Sequence, residues 1–449
     1  MAGVLERQAG GAIAAALRAK LEARTATVGI IGLGYAGLPL AVGFAEAGFA
    51  VVGVDLRADR RDAIMAGRSY VGDITDAMLE PLVEGGRLRA TGDYADLREA
   101  DAITICVPTP LSKTKAPDPS AIIAAVGSLA PHLRPGQLVV LESTSYPGTT
   151  DELIKPAIEA RGLVIGEDVF LAFAPERVNP GDAHFTVQNT PKLIGGVTDA
   201  CRDLAMALYV PIVGGVVPVS SPIVAETAKL LENTFRAVNV ALVNELALMC
   251  QRLGIDVWEV IDAAATKPFG FMPFRPGPGL GGHCIPIVPH YLAWKLKTLG
   301  YEARFIALAD EINSAMPAHV VSLVADALND AATPKPLRGA RVLLMGVTYK
   351  PDVADTRESP PLEVLELLRA KGADAGYHDP LIPTVEVGGA ALECATLDEA
   401  TLAAADCVVI ATDHASYDWG WVAQHARLIV DTRNATRDLG ETGATIIKL

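Results

Sequence analysis

Thr27-Val28-Gly29-Ile30-Ile31-Gly32-Leu33-Gly34-Tyr35-Ala36-Gly37 is an apolar run that ends in three glycines spaced as GxGxxG. The run suits a strand buried on both faces, and Leu38 to Ala47 after it reads as a helix. A second strand, Ala50 to Val54, ends in Asp55, which completes a dinucleotide-binding pattern. Gly32 allows the tight turn, Gly34 lets backbone approach a pyrophosphate, and Gly37 lets the helix pack on the strand. Tyr35 and Ala36 complete the loop, and phosphate charge settles at the helix N-terminus. Asp55 is placed for ribose hydroxyls, which favours NAD over NADP; Arg57, Arg60 and Arg61 nearby weaken that preference, and Arg60 is taken as a cofactor contact.

Alternation of strand and helix continues outward from this unit. Ala102 to Val107, Gln137 to Glu142, Val169 to Phe173 and Lys192 to Gly195 read as strands. Asp118 to Leu133, Thr149 to Arg161 and Thr198 to Tyr209 read as helices. The expectation is a doubly wound parallel sheet to about residue 215. Three strand ends carry polar or turn residues where ligands bind in such sheets: Pro108-Thr109-Pro110, Glu142-Ser143-Thr144 and Pro175-Glu176-Arg177. Ordinary turn chemistry explains the prolines, and less well the pair Thr144 and Glu176.

The chain has 449 residues, too many for one ordinary core. Hydrophobic residues make up 50% and charged ones 20%, a globular balance. A formal net charge of −15 argues against a nucleic-acid partner, and any anionic substrate needs locally placed cations. The six cysteines form no CxxC pair and no zinc-ligand spacing, which fits reduced thiols in a cytoplasm and no metal. No apolar run reaches membrane-spanning length. The first 25 residues lack a continuous apolar signal core and read as an extra helix or a frayed leader.

Ser221 to Leu253 reads as one long helix capped by Ser221, with Pro222 at its first position. Its largely apolar composition suggests a place between domains or in a dimer interface. Lys229 and Asn233 are four apart and share a face; either they mark a site, or Lys229 reaches to solvent along its stem. Further on, Gly277-Pro278-Gly279-Leu280-Gly281-Gly282-His283-Cys284-Ile285-Pro286 holds one thiol behind four glycines. That composition neither continues a helix nor builds a good strand. It either aims Cys284 at a closely held molecule or is a tight turn with an inert thiol. Lys267 and Arg275 bring cations toward it, and Tyr291 to Thr298 and Phe305 to Ser314 read as helices. Proline-rich 331–337 reads as a linker to a second α/β unit, with strands Arg341 to Val347, Cys407 to Ala411 and Leu428 to Asp431 and a helix Pro361 to Lys371. The loop 348–359 carries Lys350 and Arg357, and Arg433 sits at a strand end. These cations either hold phosphate and sugar oxygens or belong to a solvated loop.

Taken together, the segments GLGYAGLPLA (32–41), ICVPTPL (105–111), ESTSYPGTT (142–150), AFAPERVNPGD (172–182), AETAKLLENTFRAVNVALVNELA (225–247), GPGLGGHCIP (277–286) and GVTYKPDVADTRESP (346–360) resemble the UDP-glucose/GDP-mannose dehydrogenase family from about Thr27 onward. The string 266–286 is most similar to the UDP-N-acetylglucosamine 6-dehydrogenase branch, with the UDP-N-acetylmannosamine branch close by. The resemblance implies two Rossmann-like domains joined by a central helical domain that dimerises. Its boundaries on this chain are an extension 1–26, an NAD domain 27–215, a helical domain 216–330 and a UDP domain 331–449. It implies oxidation of a sugar C6 alcohol to a carboxylate, with two NAD reduced and Cys284 carrying the aldehyde and then a thioester. By the family's motifs, Lys229 and Asn233 stabilise oxyanions at C6, and Thr144 and Glu176 place or activate the hydrolytic water. The resemblance implies that Pro108, Thr109 and Thr144 border the cofactor and that Glu176, Arg177, Lys229, Asn233, Gly281, Lys350 and Arg433 border the UDP-sugar; Arg275, which has no family counterpart, is read as adding to them.

One position departs from the pattern. Family members usually carry Asp four residues after the cysteine, and here Val288 stands in that place. Valine neither accepts a proton nor orients Lys229 or water. The reading is therefore an active enzyme, with a UDP-sugar-binding homologue of impaired catalysis as the alternative.

Overall fold

The computed structural model describes residues 2–112, 115–177, 188–282 and 285–449, residues 2–10 by backbone alone; Cys284 and His283 lie outside the described residues. Two compact units emerge, one of residues up to Glu232 with His290–Tyr301, the other of Asn233–Pro289 with Glu302–Leu449.

The first unit is built on an eight-stranded sheet of β1 (Thr27–Ile31), β2 (Ala50–Val54), β3 (Leu88–Thr91), β4 (Ala102–Ile105), β5 (Gln137–Leu141), β6 (Val169–Phe173), β7 (Lys192–Gly196) and β8 (Val216–Val219). Its order is β3-β2-β1-β4-β5-β6-β7-β8, so the chain reverses direction across the sheet between β1 and β4, where doubly wound sheets bind nucleotides. Strands β5 and β6 are buried at every position, as their apolar composition after Gln137 requires, and the Gln137 amide is satisfied by the Leu97 and Ala100 carbonyls. Two cores cover the two faces of the sheet, one around Phe44, Phe49, Phe170 and Tyr209, the other around Ile103, Ile122, Leu141 and Phe173.

The sheet departs from the expected all-parallel pattern at one seam. β7 runs antiparallel to β6, pairing Ala172 with Gly196 and Phe173 with Gly195, and β8 then pairs parallel to β7. The direction of pairing depends on where the segment between the strands returns, which strand composition does not encode. The N-terminal segment forms the helix Ala2–Glu22, the first of the two readings offered for it. Leu17 and Leu21 are buried in the first core, and Lys20 Nζ lies 2.8 Å from Asp101 Oδ1.

In the second unit β9 (Arg341–Met345), β10 (Asp374–His378), β13 (Cys407–Ile410), β14 (Leu428–Asp431) and β15 (Thr445–Lys448) make a parallel sheet in the order β10-β9-β13-β14-β15; β11 (Thr384–Val387) and β12 (Ala390–Glu393) form a separate antiparallel hairpin. The helix expected to stop at Ser314 runs from Arg304 to Asp330, through Pro317. Proline removes one backbone hydrogen bond there, but Pro317, Val320, Val321 and Val324 are buried, and that burial keeps the helix going. The proline-rich 331–337 is tied down by Lys335, whose Nζ lies 2.5 Å from Asp406 Oδ2.

The helix Pro222–Leu253 is continuous over 32 residues. Its second half belongs to the second unit, where Asn244 Nδ2 donates to Asn313 Oδ1 (2.9 Å) and Asn313 Nδ2 donates to the Ala237 carbonyl (3.1 Å). Asn244 Oδ1 in turn accepts from the Gly277 N–H (3.0 Å), so buried amides tie two helices to the start of the glycine stretch.

Candidate active site

At the C-terminal end of β1 the glycine loop is shaped by contacts that no side chain would survive. Gly32 has φ +89°, and a Cβ there would lie 2.4 Å from the Cys106 carbonyl oxygen. A Cβ at Gly37 would lie 1.8 Å from the Gly32 carbonyl oxygen, so the loop and the helix Gly37–Glu46 close on one another. Gly34 differs: its missing Cβ would meet nothing nearer than Arg60 Nη1 at 3.5 Å. The chain itself therefore does not require glycine at 34, whereas close approach of a pyrophosphate to backbone does.

Asp55 is 7% exposed and works first on the loop itself. Its Oδ2 accepts from Leu33 N–H (2.9 Å) and its Oδ1 from Arg57 N–H (2.9 Å), with Arg60 Nη1 3.4 Å from Oδ2. A carboxylate has about four acceptor positions, so capacity remains for ribose hydroxyls. Tyr70, unremarked in the sequence, donates its hydroxyl to the Leu33 carbonyl (2.5 Å). Burial, then the neighbouring Asp55, pushes that phenol up to about 12, so it stays a donor. Tyr35 is 40% exposed beside Ala36 on the open side of the loop. These residues fit a dinucleotide diphosphate.

Further along the same sheet edge, the Thr109 hydroxyl donates to the Thr144 carbonyl (2.6 Å), which joins the loops after β4 and β5, with Pro108 in the first. Tyr291 donates its hydroxyl to the Thr109 carbonyl. The loop carrying Thr144 is anchored by Glu226 on the long helix, whose carboxylate accepts from Gly148 N–H (2.6 Å), Thr150 N–H (2.9 Å) and the Thr150 hydroxyl (2.7 Å). Burial raises the Glu226 pKa against those hydrogen bonds. The spacing of ESTSYPGTT carried no signal for this partner, which arrives from 76 residues away.

Glu176, 27% exposed, follows β6 and faces Lys192 Nζ at 3.4 Å; its Oε1 accepts from Arg177 N–H (2.8 Å). Lys192 also lies 2.9 Å from Glu142 Oε2, and Tyr209 donates to Glu142 Oε1 (2.5 Å). Arg177 reaches Glu232 on the long helix, Nη2 to Oε1 2.7 Å. Thus Arg177 and Lys229, which is 9% exposed, belong to the same unit. Asn233 follows one turn later on that helix, and its Nδ2 is buried without a hydrogen-bond partner among the described residues.

In the second unit the glycines are shaped by the loop 348–359. A Cβ at Gly281 would lie 2.7 Å from the Glu358 carbonyl and 2.8 Å from Tyr349 Cβ, and one at Gly282, at φ +92°, 2.8 Å from Tyr349 Cε2. The room left by Gly281 is taken by protein. Lys350, beside Tyr349, is half-buried, and the Thr348 hydroxyl donates to the Lys350 carbonyl (3.0 Å).

Arg275 and Arg433 meet on the wall of a cavity of about 130 Å³. Arg275 Nη2 lies 2.5 Å from Asp262 Oδ1, and Arg433 Nε 2.9 Å from Asp413 Oδ1. Trp258 and Asn434 line the same cavity, and Trp258 Nε1 and Asn434 Oδ1 are buried without partners among the described residues. Arg437 lines it too, so three guanidinium groups against the two carboxylates Asp262 and Asp413, with an unspent donor and acceptor, suit an anionic, hydrogen-bonding ligand. Val288 opens the helix Val288–Thr298 and is 3% exposed.

Three models of one family match the chain. The UDP-glucose/GDP-mannose dehydrogenase NAD binding domain covers residues 26–213, the central domain 223–315 and the UDP binding domain 343–438. The chain is 38% identical over 357 residues to a UDP-N-acetyl-D-glucosamine 6-dehydrogenase of Pseudomonas aeruginosa, covering 79% of this chain and 83% of that one. To a UDP-N-acetyl-D-mannosamine dehydrogenase of Escherichia coli it is 38% identical over 406 residues, 87% of this chain and 94% of that one. A solved UDP-D-ManNAc dehydrogenase from Pyrococcus horikoshii superposes with a TM-score of 0.85 at 34% identity, over 94% of this chain and 98% of that one.

Proposed function

The chain belongs to the UDP-glucose/GDP-mannose dehydrogenase family, and from that premise we propose that it oxidises the C6 alcohol of a UDP-N-acetylhexosamine, UDP-N-acetylglucosamine before UDP-N-acetylmannosamine or UDP-glucose, to the uronic acid. That it is an NAD-dependent oxidoreductase acting on a UDP-sugar follows from the family itself. What supports the finer reading is one arrangement: the matched segments hold, in one chain, the glycine cradle, the buried Lys229, the thiol of Cys284 and the paired Arg275 and Arg433.

NAD, when bound, would accept one hydride from C6, and a second NAD the other. The protein's own residues supply the rest. Gly32, Gly34 and Gly37 admit the diphosphate, and Asp55 with the Tyr70-braced loop orients the ribose. Cys284 adds to the aldehyde as a thiohemiacetal, which keeps it bound and makes the second oxidation accessible. Lys229 and the unspent amide of Asn233 stabilise oxygen charge at C6. Thr144 and Glu176 handle the water that releases the acid and regenerates the thiol. Arg433 and Lys350 of the domain 331–449, with Arg275 from the helical domain, hold the UDP moiety, and the thiols stay reduced in a cytoplasm.

The test is NADH release across UDP-glucose, UDP-N-acetylglucosamine and UDP-N-acetylmannosamine. The expected result is two NADH per sugar, fastest with UDP-N-acetylglucosamine, and loss of the acid product in Cys284→Ala. Absence of turnover with every one of the three sugars overturns the proposal. A second reading, binding of UDP-sugar with impaired catalysis, is favoured by Val288, an apolar and buried side chain where relatives by motif carry a carboxylate.

A further inference from the structure

We propose that Lys192 is a positioning residue for Glu176: it holds that carboxylate ionised and oriented to take a proton from the hydrolytic water. The inference rests on the reading of Glu176 as the group that acts on that water. Lys192 is the first residue of β7, in an otherwise apolar strand Lys192–Gly196, and its side chain is 5% exposed. An ammonium in such a place is retained only when paired. It has two carboxylate partners, and they are not alike.

Glu142, 2% exposed, lies 2.9 Å from Nζ and spends its other oxygen on the Tyr209 hydroxyl. Glu176 lies 3.4 Å from Nζ, accepts the Arg177 N–H on Oε1 and is 27% exposed. The groups around Nζ come from four elements: Glu142 after β5, Glu176 after β6, Tyr209 at the end of its helix, and Cys106 after β4. Tyr209 also offers its ring face at 4.9 Å. Burial works against the ammonium, but Glu142 and then Glu176 outweigh it and raise the Lys192 pKa. Burial pushes Glu142 up despite Lys192, and pushes the Cys106 thiol and the Tyr209 phenol well up, so neither of those contributes negative charge.

The consequence is a division of labour. With the ammonium in place, the two carboxylates tolerate one another; without it, two close carboxylates share a proton, and Glu176 stops being a base. The step served is balanced as follows. Water oxygen bonds to the thioester carbon, its proton passes to the Glu176 carboxylate, and the carbon–sulfur bond breaks to return Cys284 as thiolate. No oxidant is involved, so the two preceding oxidations do not need Lys192.

The experiment uses the full-length protein with NAD and UDP-N-acetylglucosamine, or whichever panel sugar turns over fastest. In Lys192→Met, kcat falls about 100-fold, as loss of a general base does. The first-turnover release of NADH survives, and mass spectrometry of denatured protein finds the sugar acyl group on Cys284. The acid limb of the kcat profile moves to higher pH, because removing a cation raises the neighbouring carboxylate. Lys192→Arg keeps the charge and restores turnover and profile. Should Lys192→Met fold poorly around an unpaired Glu142, Lys192→Gln keeps a hydrogen-bond donor for Glu142 without the charge and faces the same readouts.

Wild-type turnover in a folded Lys192→Met or Lys192→Gln variant overturns the proposal, as does loss of the first NADH release without an adduct. Glu176→Gln separates the two layers. If Glu176→Gln hydrolyses at the wild-type rate, the underlying reading fails. If it stalls with an adduct while Lys192→Met does not, only the role of Lys192 falls.

Discussion

Val288 is where a single side chain bears most on activity. It is 3% exposed at the first turn of the helix Val288–Thr298. A carboxylate at a helix N-terminus gains roughly 0.3–1 kcal/mol from the aligned peptide dipoles, while burying it ionised without a partner costs several kcal/mol. Val288→Asp is expected to raise kcat, by as much as about 100-fold if acid–base support is what the chain lacks, and to lower the melting temperature by a few degrees. Steady-state NADH release and a melting curve on the same preparation check both. An unchanged kcat removes Val288 as the explanation. The departure itself was legible as a string, Cys-Ile-Pro-Ile-Val-Pro; that the valine is buried was not, because burial follows from what packs over a residue.

At the level of the element, the helix Pro222–Leu253 does two jobs with two faces. Its inward residues Ala237, Ala241, Val243 and Ala247 are buried, whereas Phe235, Leu242, Met249 and Leu253 are exposed. Phe235, Leu242 and Met249 recur every seven residues, two helical turns, and so form one outward apolar stripe. Such a stripe is usually covered in a working assembly, and we propose that a second copy of the chain covers it. Leu242→Glu puts a charge at its centre and is expected to turn dimers into monomers in analytical ultracentrifugation. A monomeric wild-type protein, or a variant that stays dimeric, excludes this face. The helix and its ends were readable from the absence of glycine and proline over thirty-odd residues. The buried amide chain through Asn244 and Asn313 was not, since it joins residues 69 apart.

Over the whole molecule, pH dependence follows from histidines in the second unit. Burial lowers the pKa of His319 and of His378 below the ordinary 6.5. Folded protein therefore binds fewer protons than unfolded chain as pH drops below 6.5, so stability is present above that value and is lost as pH falls. Melting temperature is expected to decrease from pH 7 to pH 5.5, and less so in His319→Gln. A flat profile over that range contradicts it. The chain's own order of residues determined the glycine cradle with Asp55, the long helix, and the alternation that builds two sheets, because turn chemistry and hydrophobic period act over a few positions. Only the tertiary structure decided that β7 runs antiparallel to β6, that Gly281 makes room for Tyr349, and that Lys192 meets Glu142 and Glu176. These depend on side chains brought together across 16 to 68 residues of intervening chain, and backbone direction and charge pairing at that range are set by packing, which no local pattern records.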